Sequence, residues 1–165
     1  MTRDSTSQYS FDSDSVVHYL FLGAIITIVT DDATTDGALT VTEIDAPPGY
    51  ENNLHTHPPS ELFYVLNGEM TLYVDEHPYH LTPGMTGFVP VNRPHGFRVT
   101  GDDPLHVLAI FVPAGMADFF REVGTPVETR EIPEYHSPGE EELERMMAAS
   151  PKHEMKRLGP LPPAT

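Results

Sequence analysis

Short apolar runs separated by turn residues fill the first two thirds of the chain. The runs lie at residues 18–30, 38–46, 53–57, 61–67, 69–75, 86–90, 95–100 and 104–112. They are rich in β-branched and aromatic residues, which predicts strands. Asn67-Gly68 between LFYVL and EMTLYV predicts a hairpin, and Pro83-Gly84 and Pro90 mark further turns. About eight short strands with regular turns predict an all-β sandwich or barrel.

The pattern changes after residue 113. GMADFFREVG predicts one short helix, and SPGEEELERMMAAS predicts a second with Ser137 as its N-cap and Pro138 in its first turn. Apolar side chains would pack these helices on the strands: Phe119, Phe120, Val123, Leu143, Met146 and Met147. We therefore expect a mobile arm over 1–15, a strand domain over 16–113 and a helical C-terminal extension over 114–165.

Charge and composition narrow the function classes. The chain has 9 Lys and Arg against 25 Asp and Glu, a formal net charge of −16, and no cysteine. Such a surface repels nucleic acid and anionic membranes, and it fits either high-salt adaptation or an ordinary acidic protein. The apolar run at 19–30 is too short to span a bilayer and follows acidic residues, unlike a signal peptide. We therefore expect a soluble, cytoplasmic protein without nucleic-acid or membrane partners.

Three imidazoles and one carboxylate form the candidate metal site. His55 and His57 alternate along a predicted strand, so their side chains share a face. Glu61 and His95 would reach that face from neighbouring strands. Three His and one Glu are a common ligand set for a divalent transition metal, and Fe, Mn, Co, Ni, Cu and Zn all remain open.

The spacing of these residues resembles the two motifs of the cupin family. G-x5-H-x-H-x3-E-x6-G is matched at every position from Gly49 to Gly68, and G-x5-P is matched at Gly84 and Pro90, followed by His95. The second motif departs at Asn92, where Gly is usual, and at Val99, where Asn is usual. The resemblance implies a jelly-roll β-barrel that binds one metal through His55, His57, Glu61 and His95.

Within that family, the chain is similar to the quercetinase-like monocupins. The similarity rests on the ligand set within ELFYVLNGEMTLYV and its surroundings, and on a helical extension that ends in LGPLPP. It implies a dioxygenase that adds O2 to a flavonol or a similar enolisable aromatic substrate. Glu61 would be both a metal ligand and the general base, and the protein would be a homodimer.

Side chains on the same strand faces as the ligands are candidate pocket residues. Phe63 and Val65 share a face with Glu61, and Phe97 shares one with His95. Met70 and Phe111 are further candidates, and each of the five could equally be plain barrel core. An apolar lining would suit a flat hydrophobic substrate.

Two other functions remain open at this stage. A different metal-dependent cupin enzyme (an isomerase, decarboxylase or cyclase) could use the same ligands. The chain could also be a cupin that binds a small molecule without catalysis.

Overall fold

Two antiparallel sheets face each other in the computed structural model, which describes residues 9–164. In chain order the strands are β1 His18–Phe21, β2 Ala24–Thr30, β3 Thr40–Ala46, β4 Leu54–Thr56, β5 Ser60–Asn67, β6 Glu69–Val74, β7 His77–Leu81, β8 Thr86–Val89, β9 His95–Thr100, β10 Leu105–Val112, β11 Thr125–Val127 and β12 Lys156–Gly159. The helices are α1 Asp32–Thr35, α2 Ala117–Val123 and α3 Glu140–Ala149. Of the expected N-terminal arm, residues 1–8 lie outside the described part of the chain.

The strand order gives the jelly-roll arrangement. One sheet has seven strands in the order β11-β1-β2-β3-β10-β5-β8, and the other has five in the order β12-β4-β9-β6-β7. Neighbouring strands are antiparallel throughout, and the sheets do not join into a closed cylinder. The predicted all-β jelly roll with a helical C-terminal extension is confirmed.

The core lies between the two sheets because alternate side chains of each strand point inward. In β5 and β10 this alternation buries Phe63 and Val65, and Val107 and Phe111. Phe97 of β9 closes the core from the five-stranded sheet, with its ring centroid 5.8 Å from that of Phe63. The inward faces therefore supply both the core and the walls of the site.

The predicted strand over 18–30 is wrong, because the run forms a hairpin of β1 and β2. Leu22 and Gly23 take left-handed φ values of 50° and 92° at the turn, where glycine carries no steric cost. The strand β2 is largely buried and β1 is partly buried, so the sequence YLFLGAIITIVT shows no polar break that would mark the turn.

Three strands escaped prediction because they lie at or near sheet edges and lack apolar alternation. In β7, His77 and His80 are exposed, and the strand contains Pro78. A sheet edge tolerates proline because its backbone groups can face solvent. The other two, β11 and β12, pair with β1 and β4, so the C-terminal extension contributes a strand to each sheet.

Both predicted C-terminal helices are present. Phe119, Phe120 and Val123 of α2 are buried, as is Met146 of α3, with Leu143 partly buried. Two details were wrong. The second helix starts at Glu140 with Gly139 as N-cap instead of Ser137, and Met147 is 62% exposed. No helix within residues 9–164 is long and apolar enough to cross a membrane.

An ion-pair cluster on the outer face of the seven-stranded sheet holds the segment between β11 and α3. Arg130 of this segment bonds Glu43 and, at 2.8 and 3.1 Å, Asp45. His106 lies 3.1 Å from the Glu43 carboxylate. These contacts fix the segment to β3, and its later residues Tyr135, Ser137 and Pro138 line the cavity.

Candidate metal centre

Strand pairing and the facing of the two sheets bring the four candidate ligands together. His55 of β4 and His95 of β9 are directly paired across neighbouring strands. Glu61 comes from β5 in the opposite sheet, which corrects the expectation that its strand would neighbour β4. His57 lies in the short connection that carries the chain from one sheet to the other. The site therefore spans the gap between the sheets.

The ligand atoms converge in a largely buried position. Nitrogen atoms of His55, His57 and His95 all lie within 4.8 Å of one another. Glu61 Oε2 is 3.1 Å from Nε2 of both His57 and His95. His57, Glu61 and His95 are buried, and His55 is half-buried.

Backbone carbonyl groups fix the orientation of each imidazole. A carbonyl oxygen only accepts hydrogen bonds, so a ring nitrogen that contacts one must carry the proton. Each ring donates from Nδ1 to a carbonyl two residues away at 2.8–2.9 Å: His55 to Asn53, His57 to Pro59 and His95 to Arg93. In the neutral rings, Nε2 therefore presents a lone pair to the centre of the site.

This arrangement fits a bound cation. The lone pairs of His57 and His95 face the Glu61 carboxylate, and two acceptors cannot hydrogen-bond to each other. A divalent metal between them would satisfy all the acceptors, and imidazole nitrogens with carboxylate oxygen are ligands that transition metals accept. The backbone bonds to Nδ1 are the kind of outer support that orients metal-binding histidines.

The electrostatics of the site keep Glu61 and His55 unprotonated. Burial by itself would raise the pKa of Glu61, but His57 and His95 outweigh it when their rings carry a proton on Nε2, through hydrogen bonds and positive charge, and lower that pKa to about 2. Burial, together with neighbouring His95 and His57, lowers the pKa of His55 to about 3. Both groups are therefore in the form that binds metal at neutral pH.

The two departures from the second motif do not disturb the ligands. Asn92, in place of the usual glycine, has a left-handed φ of 55°, a conformation that asparagine tolerates better than most residues. Its backbone N–H donates to the carbonyl of His57 at 3.1 Å. Val99 is buried in the core, away from the ligand positions. Asn92 therefore supports the loop that holds His57.

A cavity of about 360 Å³ opens from the metal centre. His55, His57 and Glu61 form part of its wall, together with Phe63, Phe97 and Phe111, three of the five candidate pocket residues. The other two, Val65 and Met70, are buried in the core and do not line it. This volume lies at the lower end of the range for drug-sized ligands, about 300–1,000 Å³.

Several lining residues were missed from the sequence because they come from segments outside the motif strands. The end of β1 contributes Phe21, and the C-terminal extension contributes Phe119, Phe120, Tyr135 and Arg157. The apolar face of α2 was predicted from its periodicity, but no local signal indicates which cavity that face covers.

Comparisons with known proteins agree with this geometry. Residues 42–111 match the cupin domain family. Quercetin 2,3-dioxygenase of Bacillus subtilis is 33% identical over 107 residues, which cover 64% of this chain and 32% of that protein. An uncharacterised protein of Methanocaldococcus jannaschii is 31% identical over 72 residues, which cover 43% of this chain and 58% of that protein. The chain thus spans about a third and somewhat over half of the lengths of these two relatives.

Solved structures show the same fold. An RmlC-like cupin from Shewanella frigidimarina is 25% identical and superposes with a TM-score of 0.57, covering 66% of this chain and 92% of that one. The matched family, the jelly-roll fold and the facing candidate ligands agree, and residues 42–111 of the chain form a cupin domain.

Proposed function

We propose that this protein is a metal-dependent dioxygenase that adds O2 to a flavonol or a similar enolisable aromatic compound. The observation that carries the proposal is the buried set of three imidazoles and one carboxylate at the end of a cavity lined by aromatic rings. The local 33% identity to a quercetin dioxygenase supports the choice of reaction.

Glu61 is positioned to accept a proton from the substrate. Its Oε2 faces His57 and His95, whereas no described residue hydrogen-bonds to Oε1. Within residues 9–164, Oε1 is not one of the fully buried side-chain atoms that lack a hydrogen-bond partner. It is therefore accessible from the cavity. A substrate hydroxyl at the metal centre would therefore meet a carboxylate oxygen that is free to act as general base.

The metal would stabilise charge on the substrate, and the cavity walls would position the substrate and exclude water. When bound, a divalent metal would stabilise the negative charge that forms on the substrate oxygen after deprotonation. Phe63 and Phe97, whose centroids are 5.8 Å apart, offer an apolar wall against a flat ring. Phe111 lies beside His57 at a centroid distance of 5.6 Å and limits the approach of water to the ligands.

Oxygen consumption tests this proposal. Protein reconstituted with Fe, Mn, Co, Ni or Cu is mixed with quercetin in an oxygen electrode, and the same series is run with Glu61→Gln. We expect rapid uptake with at least one metal and its loss in the variant. No uptake with any metal, despite stoichiometric metal binding, would refute the dioxygenase and favour another cupin enzyme or a binding protein.

We also infer that two copies of the chain associate through the outer face of the seven-stranded sheet. Outward side chains of β5, β8 and β10 form an apolar surface on which Tyr64, Leu66, Phe88 and Val112 are 37–58% exposed. Exposed apolar patches of this kind mark interaction sites. Because each chain carries a formal charge of −16, a second copy approaches most easily through this apolar surface of β5, β8 and β10. Light scattering should give a dimer that Phe88→Lys converts to a monomer, and a monomeric parent protein would refute the association.

A further inference from the structure

We propose that Arg157 makes this site selective for substrates that carry a carboxylate next to their metal-binding oxygens. The inference deepens the proposed function, because it assumes that the cavity beside the metal centre is a substrate site. Arg157 belongs to β12, which lies outside the matched cupin domain of residues 42–111.

Strand register places Arg157 beside the metal centre. In the β12–β4 pair, Arg157 is directly opposite His55, so the two side chains stand on the same face of the sheet about 5 Å apart at Cβ. That face lines the cavity, and Arg157 is part of the lining. Its neighbours Lys156 and Leu158 point the other way, into a separate hollow with Thr56.

The positive charge of Arg157 is not neutralised by the protein around it. Among the described residues, no carboxylate lies within ion-pair distance of its guanidinium, whereas Arg93, Arg98, Arg121, Arg130 and Arg145 each have one. Of the two acids in the cavity wall, Glu51 is bonded to Arg98 at 2.7 Å and Glu61 is directed at the histidines.

Arg157 is also the only lysine or arginine in the described lining of the cavity. A chain with a formal charge of −16 repels anions at a distance. A local guanidinium offsets this repulsion at the entrance, and its fork of N–H donors matches both oxygens of a carboxylate. The aromatic walls and the adjacent metal site specify the remainder of the ligand, a flat ring with two chelating oxygens.

Two compounds that differ only by a carboxylate can distinguish recognition of the charge from chelation of the metal. Zn²⁺ is loaded into the protein because it has no redox chemistry, and binding of catechol and of 2,3-dihydroxybenzoate is measured by calorimetry. The two compounds share the chelating oxygens and differ by one carboxylate. We expect the protein to prefer 2,3-dihydroxybenzoate. Arg157→Gln should lower that preference by about tenfold or more, as expected for a charged hydrogen bond, and Arg157→Lys should retain part of it.

Lys156→Gln is the control, since it removes one positive charge from the opposite face of the same strand. It should leave the preference unchanged, and zinc stoichiometry should be equal in all variants. An unchanged preference in Arg157→Gln, or binding of neither compound, would overturn the inference. Failure of the dioxygenase proposal is separable, because it shows as absent O2 uptake while the carboxylate preference still depends on Arg157.

Discussion

Replacing Glu61 with glutamine should raise the Tm of the metal-free protein and shrink the rise in Tm that bound metal produces. In the metal-free protein at pH 8, the carboxylate lies 3.1 Å from Nε2 of His57 and of His95. The Nδ1 protons of these rings are held by backbone carbonyls, so neutral rings offer the carboxylate no donor. Glutamine would place an NH2 group at the same position and could donate to these lone pairs.

The expected shifts are large enough to measure. A net buried hydrogen bond stabilises by about 0.5–1.5 kcal/mol, and about 1 kcal/mol changes the Tm of a domain of this size by about 2–4 °C. Glu61→Gln should therefore raise the metal-free Tm by a few degrees. Loss of the anionic ligand should weaken metal binding by about tenfold or more. At saturating Zn²⁺ this would shrink the metal-induced rise in Tm by about 3–6 °C.

Differential scanning calorimetry with EDTA and with excess Zn²⁺ measures both effects. Glu43→Gln is the matched control, because its carboxylate also lies 3.1 Å from a histidine Nε2, that of His106, but forms an ion pair with Arg130. The control should lower Tm equally with and without metal. The reasoning fails if Glu61→Gln lowers the metal-free Tm as the control does, or if its metal-induced rise equals that of the parent.

Three further predictions address the ligands and one turn. His57→Ala should abolish stoichiometric metal binding in elemental analysis, and full retention would exclude His57 as a ligand. Metal-free protein should lose stability in chemical denaturation as the pH falls from about 6.5 toward 3. Burial and neighbouring imidazoles lower the folded pKa of His55 to about 3, so the unfolded ring binds a proton that the folded ring does not. His55→Asn should flatten that slope, and an unchanged slope would contradict the assignment. Gly68→Ala should lower the Tm more than Gly84→Ala, although both positions have positive φ. The reason is that a Cβ at position 68 would lie 2.5 Å from a backbone oxygen, whereas a Cβ at position 84 would meet no atom within 4 Å. Equal losses of Tm would contradict this.

The strand domain could be predicted well because its sequence signals are local. The Asn67-Gly68 turn lies between β5 and β6 as expected, but the two strands belong to different sheets, so the predicted hairpin is wrong. The four candidate ligands were recognised from their spacing, and the structure brings their side chains together. Their tautomers could not be foreseen, because the carbonyl groups of Asn53, Pro59 and Arg93 become partners only once the loops are folded.

The missed strands share one physical origin, which is pairing that no local pattern encodes. The strand β12 reads KRLG and has no apolar alternation, yet it pairs with β4 because the chain after α3 returns to that edge. Tertiary pairing of this kind overrides strand propensity. Arg157 was missed for the same reason, since its role depends on which strand lies opposite and not on its sequence neighbours.

Metal binding and substrate selection depend on different parts of the chain. The motif strands β4, β5 and β9 carry His55, Glu61 and His95, the β4–β5 connection carries His57, and the inward faces of the strands are fixed by the same packing that forms the core. Other parts of the cavity wall come from the β1–β2 hairpin, from α2 and α3, and from β12. Changes in these segments can alter which molecule fits without moving a ligand, because they meet the motif strands at sheet edges and across the cavity. Substitution of Arg157 should therefore change the preference for a carboxylate and leave metal binding unchanged. Substitution of the candidate histidine ligands should reduce metal binding.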